Sequence, residues 1–272
     1  MIEIRVEDAG FDYPDGTPAL RGVDLVIPPS STVALAGPNG AGKTTLARLL
    51  NGLLVPTRGR VWVGDLDTAT VPASRVAARV GYVFQNPRRQ IFATTVRDEV
   101  AFGPSNLGME GAPLEEAVAA ALEATDLAGR AEAHPYELTP SELRRVALAS
   151  VLSMGTPVVI LDEPTASLDG PDHARLLRLL EGLRRRRATV VVITHDMDFA
   201  AEECERMLVL RAGRVAADGP PGAVFQAGPG PELELPFPSR LAGRLGLPGA
   251  PARQAELLEA LRTRRDGAGS AP

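Results

Sequence analysis

The 272 residues include one cysteine, Cys204, one lysine, Lys43, and no apolar run that approaches the length of a membrane span. A lone cysteine excludes an internal disulfide and suits a reducing compartment. Without a spanning run, any membrane role must come through a partner, and the acidic start Met1-Ile2-Glu3-Ile4 does not read as a signal peptide. Net positive charge is missing as well. A formal charge of −5 offers no basic footprint of the kind that nucleic-acid binding needs. The run Arg184-Arg185-Arg186-Arg187 therefore reads as a solvated helix end favoured by the dipole. The length admits one large α/β domain plus an appendage.

The scarcity of lysine points to a site. Every other basic side chain of the 29 is arginine, and Lys43 closes the stretch Gly37-Pro38-Asn39-Gly40-Ala41-Gly42-Lys43-Thr44-Thr45. This fits G-x-x-x-x-G-K-[ST], the phosphate-binding P-loop. A compact ammonium on a flexible stem reaches between β- and γ-phosphates, where a planar guanidinium fork is too wide. Before the loop, residues 32–36 form a β-branched and apolar run that reads as a buried strand; after it, residues 45–50 read as a helix stopped near Asn51-Gly52. Strand, loop and helix together aim backbone N–H groups and a positive helix end at the phosphates. Thr44 then places its hydroxyl on Mg²⁺.

Further elements follow in order. Residues 2–6, 23–27, 60–63 and 81–84 read as strands, and the first two are joined by a turn around Tyr13-Pro14-Asp15-Gly16. Residues 95–102 read as a helix. Residues 114–125 read as an amphipathic helix with Leu114, Val118, Ala121, Leu122 and Thr125 near one face. Another helix opens at Thr139-Pro140-Ser141-Glu142, where Thr139 fits the N-cap, Pro140 the first helical position and Glu142 the reciprocal place of a capping box. Residues 171–185 read as a helix, 189–194 as a buried strand, and 206–211 with 214–218 as a hairpin. From Gly219 onward, glycine and proline breakers read as a linker. Two short helices, 240–245 and 252–265, follow; they are too small to fold alone and are expected to dock on a neighbour or a second copy. The expected division is 1–220 and 221–266, with 267–272 disordered.

Five side chains besides the loop are candidates for the chemistry. Val158-Val159-Ile160-Leu161-Asp162-Glu163 is an apolar strand ending in two carboxylates. Beside a P-loop, Asp162 is placed to hold Mg²⁺ and Glu163 to orient or deprotonate the attacking water. Gln85 leaves a strand and either coordinates Mg²⁺ or water through its amide oxygen or is a solvated loop residue. His195 ends a strand where open α/β sheets bind ligands, and either donates to a γ-phosphate oxygen or is a loop histidine. Tyr13 is either an adenine-stacking face or a half-buried strand tyrosine.

In combination, these residues resemble the ATP-binding subunits of ABC transporters. The order is Tyr13, the P-loop, Gln85, a helix in the place of the family's signature, the carboxylate-ending strand, Ser167-Leu168-Asp169 and Thr194-His195-Asp196, over about residues 1–220. The resemblance implies an α/β P-loop NTPase fold with a mainly parallel core sheet, an antiparallel β subdomain, a helical signature subdomain and a small C-terminal extension. It also implies that Tyr13 stacks on adenine, Gln85 senses the metal and the membrane partner, His195 holds the γ-phosphate and Asp169 lies across a dimer interface. Val83-Phe84-Gln85-Asn86-Pro87, Gln90-Ile91-Phe92, Val96 and Glu99 to Pro104 resemble the energy-coupling-factor ATPases, which drive vitamin and cobalt or nickel importers. The tail Leu233 to Leu241 resembles their C-terminal extension. That subtype usually carries two acids where this chain has Arg88-Arg89.

The family's L-S-G-G-Q aligns with Leu138-Thr139-Pro140-Ser141-Glu142. In the family, this segment meets ATP bound to the other subunit, so Thr139, Ser141 and Glu142 are expected at a dimer interface. Pro140 removes an N–H donor, and Glu142 brings a like charge that costs about 3 kcal/mol at ~5 Å and an effective dielectric of ~20. The expected assembly is an asymmetric heterodimer with a second ABC ATPase, a homodimer being the alternative. Its other members are an integral membrane coupling subunit and a substrate-binding membrane subunit, with this chain peripheral on the cytoplasmic face. A regulatory nucleotide-binding subunit with little turnover and a soluble non-transport ABC protein are the competing readings.

Overall fold

The computed structural model describes residues 1–166, 168–228, 230, 232–247 and 249–268, with side chains through residue 265. Ser167 and most of the expected tail lie outside this set.

Through the nucleotide loop, the order is β1 (Ile4–Asp12), β2 (Pro18–Ile27), β3 (Thr32–Ala36) and α1 (Lys43–Leu50). There follow β4 (Arg58–Val63), β5 (Leu66–Asp67), α2 (Ala73–Ala77) and β6 (Val80–Val83). Three helices come next, α3 (Val96–Asn106), α4 (Gly111–Ala124) and α5 (Pro140–Leu152). The chain returns to the sheet with β7 (Val158–Asp162), α6 (Gly170–Arg185), β8 (Thr189–Ile193), α7 (Met197–Glu203), β9 (Arg206–Arg211) and β10 (Arg214–Gly219). The last elements are α8 (Pro221–Gln226), α9 (Phe237–Arg244) and α10 (Gln254–Ala268).

Strand patterning sorts these strands into two sheets. In β3, β7 and β8 every residue is buried, as a strand covered on both faces requires. They form the centre of a sheet ordered β10-β9-β3-β8-β7-β6, parallel except for the β9–β10 hairpin. The alternating strands make an antiparallel sheet ordered β2-β1-β4-β5. One apolar core, including Ile4, Ile27, Leu46, Leu50, Val61 and Ile160, joins the two sheets through α1. A separate core of Val96, Val100, Val118, Leu122, Leu143 and Val146 makes α3, α4 and α5 a helical subdomain. Parallel pairing brings the carboxyl ends of β3, β6, β7 and β8 to one edge.

Differences from the sequence reading lie mainly at element ends. β1 runs on to Asp12 through an irregular register around Asp8, whose φ is 45°. The stretch read as a linker holds α8, because Pro221 suits a first helical turn and Val224 and Phe225 bury against the main core. The extension docks on its own chain: Asp198 of α7 accepts from the Phe237 N–H at 2.7 Å, and Arg253 Nε donates to the Ala201 carbonyl at 2.8 Å. Gly267 and Ala268 belong to α10.

Candidate active site

The loop between β3 and α1 is shaped by close approach. A Cβ on Gly37 (φ 140°) would lie 2.2 Å from the Leu210 carbonyl oxygen, and one on Gly42 (φ 103°) 2.6 Å from that of Ala19. Only glycine fits at either place. The loop therefore lies tightly against β9 and β2, with the N-terminus of α1 behind it. Lys43 is buried, and its Nζ donates to the carbonyls of Gly37 at 2.6 Å and Pro38 at 3.0 Å. Burial pulls its pKa below the usual lysine value, opposed by the charges of Glu163 and Asp162.

These residues and the carboxyl edge enclose a cavity of about 500 Å³. Its walls bring together Tyr13, residues 39–45, Gln85, Asp162, Glu163 and His195. Tyr13 is half-buried, and its hydroxyl shares a 3.0 Å hydrogen bond with Thr45 Oγ1. Gln85 is exposed at the rim. Asp162 ends β7 with 8% exposure, and burial raises its pKa above the usual aspartate value. Glu163 follows in the left-handed region (φ 53°), a conformation costing a non-glycine residue about 1–2 kcal/mol. Its N–H donates to the Ile193 carbonyl at 2.8 Å, which turns the chain so that the carboxylate lines the cavity. Burial raises its pKa too, making it a better base once ionised. Glu163 Oε2 accepts from the His195 N–H at 3.3 Å, and Oε1 lies 3.4 Å from His195 Nε2. Burial and the Lys43 charge lower the His195 pKa, so near neutral pH this imidazole is neutral and the pair is not an ion pair.

One member of the site was missed by sequence reasoning. Tyr82 is 7% exposed, and its hydroxyl donates to Asp162 Oδ2 at 2.8 Å. Burial raises the Tyr82 pKa, with the Asp162 charge adding to it, so the phenol keeps its proton and remains a donor. The tyrosine itself carries no motif. Its role follows from parallel β6–β7 pairing, which sets Tyr82 beside Ile160.

The predicted dimer-interface residues do not line this cavity. Thr139 caps α5 with its complete capping box: Glu142 Oε2 accepts from the Thr139 N–H and hydroxyl, both at 2.9 Å. Glu142 Oε1 also accepts from Arg130 Nε at 3.1 Å. Backbone donation from Thr139 leads in holding the Glu142 pKa down, so the carboxylate is ionised. The expected like charge is therefore present but engaged by Arg130 and its own cap, a screening that the sequence reading did not include. Ser141 turns its hydroxyl to Asp172 of α6. Asp169 is exposed and caps α6, accepting from the Asp172 N–H at 2.8 Å.

Known proteins share this fold. The sequence profile of the ABC transporter family matches residues 20–166. A putative ABC transporter ATP-binding protein of Geobacter sulfurreducens is 45% identical over 248 residues, covering 91% of this chain and 96% of the relative. The energy-coupling factor transporter ATP-binding protein EcfA of Methanothermobacter thermautotrophicus is 40% identical over 254 residues, 92% of this chain and 81% of the relative. Among solved structures, cbiO1 from Clostridium perfringens, part of the ABC transporter complex cbiONQ, superposes with a TM-score of 0.75 at 32% identity, covering 89% of this chain and 95% of that one. An ATP-binding cassette solved as a dimer in a post-hydrolysis state with ADP and Pi gives 0.73 at 27% identity, covering 80% of this chain and 98% of the other. With its P-loop, paired carboxylates and two-sheet core, this chain belongs to the ATP-binding subunits of ABC transporters, of the energy-coupling-factor type.

Proposed function

We propose that this chain hydrolyses ATP as one half of an asymmetric ATPase dimer beneath an importer of metal ions or vitamins. The observation that carries it is the meeting of Lys43, Asp162, Glu163 and His195 in one cavity at the sheet edge. The loop N–H groups and the Lys43 ammonium hold the phosphates; Tyr13 takes the adenine face. The residues fit a magnesium ion, since Thr44 and buried Asp162 present hard oxygen donors beside the phosphate cradle. When bound, Mg²⁺ neutralises charge on the β- and γ-phosphates. Thr44, Asp162 and Gln85 would hold it. Glu163 accepts a proton from the attacking water, and His195 donates to a γ-phosphate oxygen.

Asymmetry rests on the signature segment. Pro140 supplies no N–H to a facing nucleotide, the Ser141 hydroxyl is committed to Asp172, and Glu142 is ionised. The site formed by this segment and a partner's P-loop should be weak, while this chain's own P-loop should work against a partner with an intact signature. Asp169 belongs to the same interface. The purified chain alone should therefore turn over slowly, and the triple change Pro140→Gly, Ser141→Gly, Glu142→Gln should raise its phosphate release at least tenfold. A fast parent homodimer, or a native complex that contains no second ATPase, would contradict this asymmetry.

The proposed partner surface lies beside β6, the edge strand of the core sheet. A cavity of about 690 Å³ between α1–α2 and α3 is lined by Leu53, Tyr82, Phe84, Phe92, Phe102 and Leu107. Leu53, Phe92, Phe102 and Leu107 are exposed there. The walls are well anchored. Gln90 accepts from the Phe84 N–H at 3.3 Å and donates to the Ala147 carbonyl at 3.0 Å and Ser150 Oγ at 2.8 Å. Buried Glu99 accepts from the N–H groups of Phe92 and Ala93, both at 2.9 Å. An apolar helix of the membrane coupling subunit fits such a groove. Arg88 and Arg89 are exposed and form no salt bridge among the described residues, so acidic residues are expected on that helix. Leu53→Asp should weaken assembly with the membrane subunits about tenfold in a pull-down titration, with ATP binding unchanged.

A further inference from the structure

The nucleotide cavity and the apolar groove are separate, but they share a wall. Tyr82 forms part of it. Its ring lines the groove, packed on Phe84 with ring centroids 4.7 Å apart, while its hydroxyl holds Asp162, which lines the nucleotide cavity. Among the described residues, Asp162 Oδ2 accepts from this phenol and Oδ1 receives no hydrogen bond. One carboxylate oxygen is thus pinned and the other is left to act as ligand. A donor in this position fixes the carboxylate's rotation about its last bond, and such outer-sphere partners are worth about 10–100-fold in metal affinity.

We propose that Tyr82 is a positioning residue that transmits occupation of the groove to the magnesium carboxylate. The coupling rests on the docking role assigned to that groove. A helix seated on Phe92, Phe102 and Leu53 also presses on the layer formed by Phe84 and Tyr82, and close-packed side chains pass on small displacements. A hydrogen bond weakens steeply with distance and angle, so a small shift of the ring changes how firmly Asp162 is held. This path differs from the exposed Gln85, because Tyr82 and Asp162 are buried, Phe84 is half-buried, and it ends on the ligand itself.

The test uses the full chain and Mn²⁺ as a spectroscopic probe in place of Mg²⁺. Electron paramagnetic resonance titration of the ATP-loaded chain should show Mn²⁺ affinity about tenfold weaker in Tyr82→Phe, with metal-free ATP affinity in chelator unchanged. Tyr82→Met, which also fills the space without a hydroxyl, should give the same loss, so that poor packing of one variant does not decide the result. In the native complex, assembly with the membrane subunits should shift Mn²⁺ affinity of the parent by threefold or more and leave that of Tyr82→Phe unmoved. Metal affinity within twofold of the parent in both variants overturns the positioning role. An equal assembly shift in parent and Tyr82→Phe overturns the coupling. Assembly that survives Leu53→Asp removes the groove as docking site and the coupling with it, whatever the metal titration of the isolated chain shows.

Discussion

Glu163→Gln is expected to lower ATP turnover by about 10²–10³-fold and leave Mg·ATP binding within a few-fold of the parent, measured by phosphate release and nucleotide titration. The amide is nearly isosteric and keeps an oxygen that can accept from the His195 N–H, now 3.3 Å from Oε2. It cannot take a proton from water. The left-handed backbone at Glu163 and its N–H bond to Ile193 are unaffected, so the side chain stays at the cavity wall. The same variant separates a motor from a regulatory subunit. A motor loses transport in the assembled complex, whereas a subunit that closes on ATP without turnover loses little. Unchanged hydrolysis would remove Glu163 from the chemistry.

Lys43→Ala should weaken ATP binding by about 100-fold or more, near 3 kcal/mol, in calorimetric titration. Lys43 is the single lysine of the chain and lies at the floor of the cradle, 7% exposed. Its two hydrogen bonds to Gly37 and Pro38 also hold the loop in shape. The variant therefore loses a charge-assisted phosphate contact and part of the loop's preorganisation together. Arginine should not rescue it, because the planar fork needs space that Gly37 and Gly42 deny by their approach to Leu210 and Ala19. Circular dichroism of the variant checks that the fold persists. Nucleotide affinity equal to the parent would leave the cradle without its central role.

The relatives and the site agree on an ATPase, and the proposed asymmetry rests on the start of α5. Here two uses of a helix N-terminus compete. Thr139 and Glu142 satisfy the helix's own N–H groups, with Arg130 added. A facing phosphate would want those same groups and a positive end. The segment is thus well built as a cap, and the proposed asymmetry takes it as a weak anion site.

Local order was legible wherever one residue's chemistry or one element's periodicity suffices. Gly37 to Thr44 was legible as a phosphate loop because the glycine spacing and the lone lysine fit that use better than an ordinary glycine turn. Thr139 and Glu142 declared a capping box that the structure reproduces bond for bond. The runs at β3, β7 and β8 were recognisable as buried strands because they carry no polar alternation. Breaker-rich α8 was misread, since burial of Val224 and Phe225 outweighs a weak local preference.

By itself, the sequence determined the phosphate loop, the paired acids, the buried strands and the cap of α5, because each is set by contacts within a few residues. The tertiary structure alone decided that Tyr82 reaches Asp162 80 positions away, that the extension packs on α7, and that an apolar groove backs the nucleotide cavity. Those depend on which strands become neighbours. Strand order is chosen by burial summed over the whole core, and no short stretch of residues carries that sum.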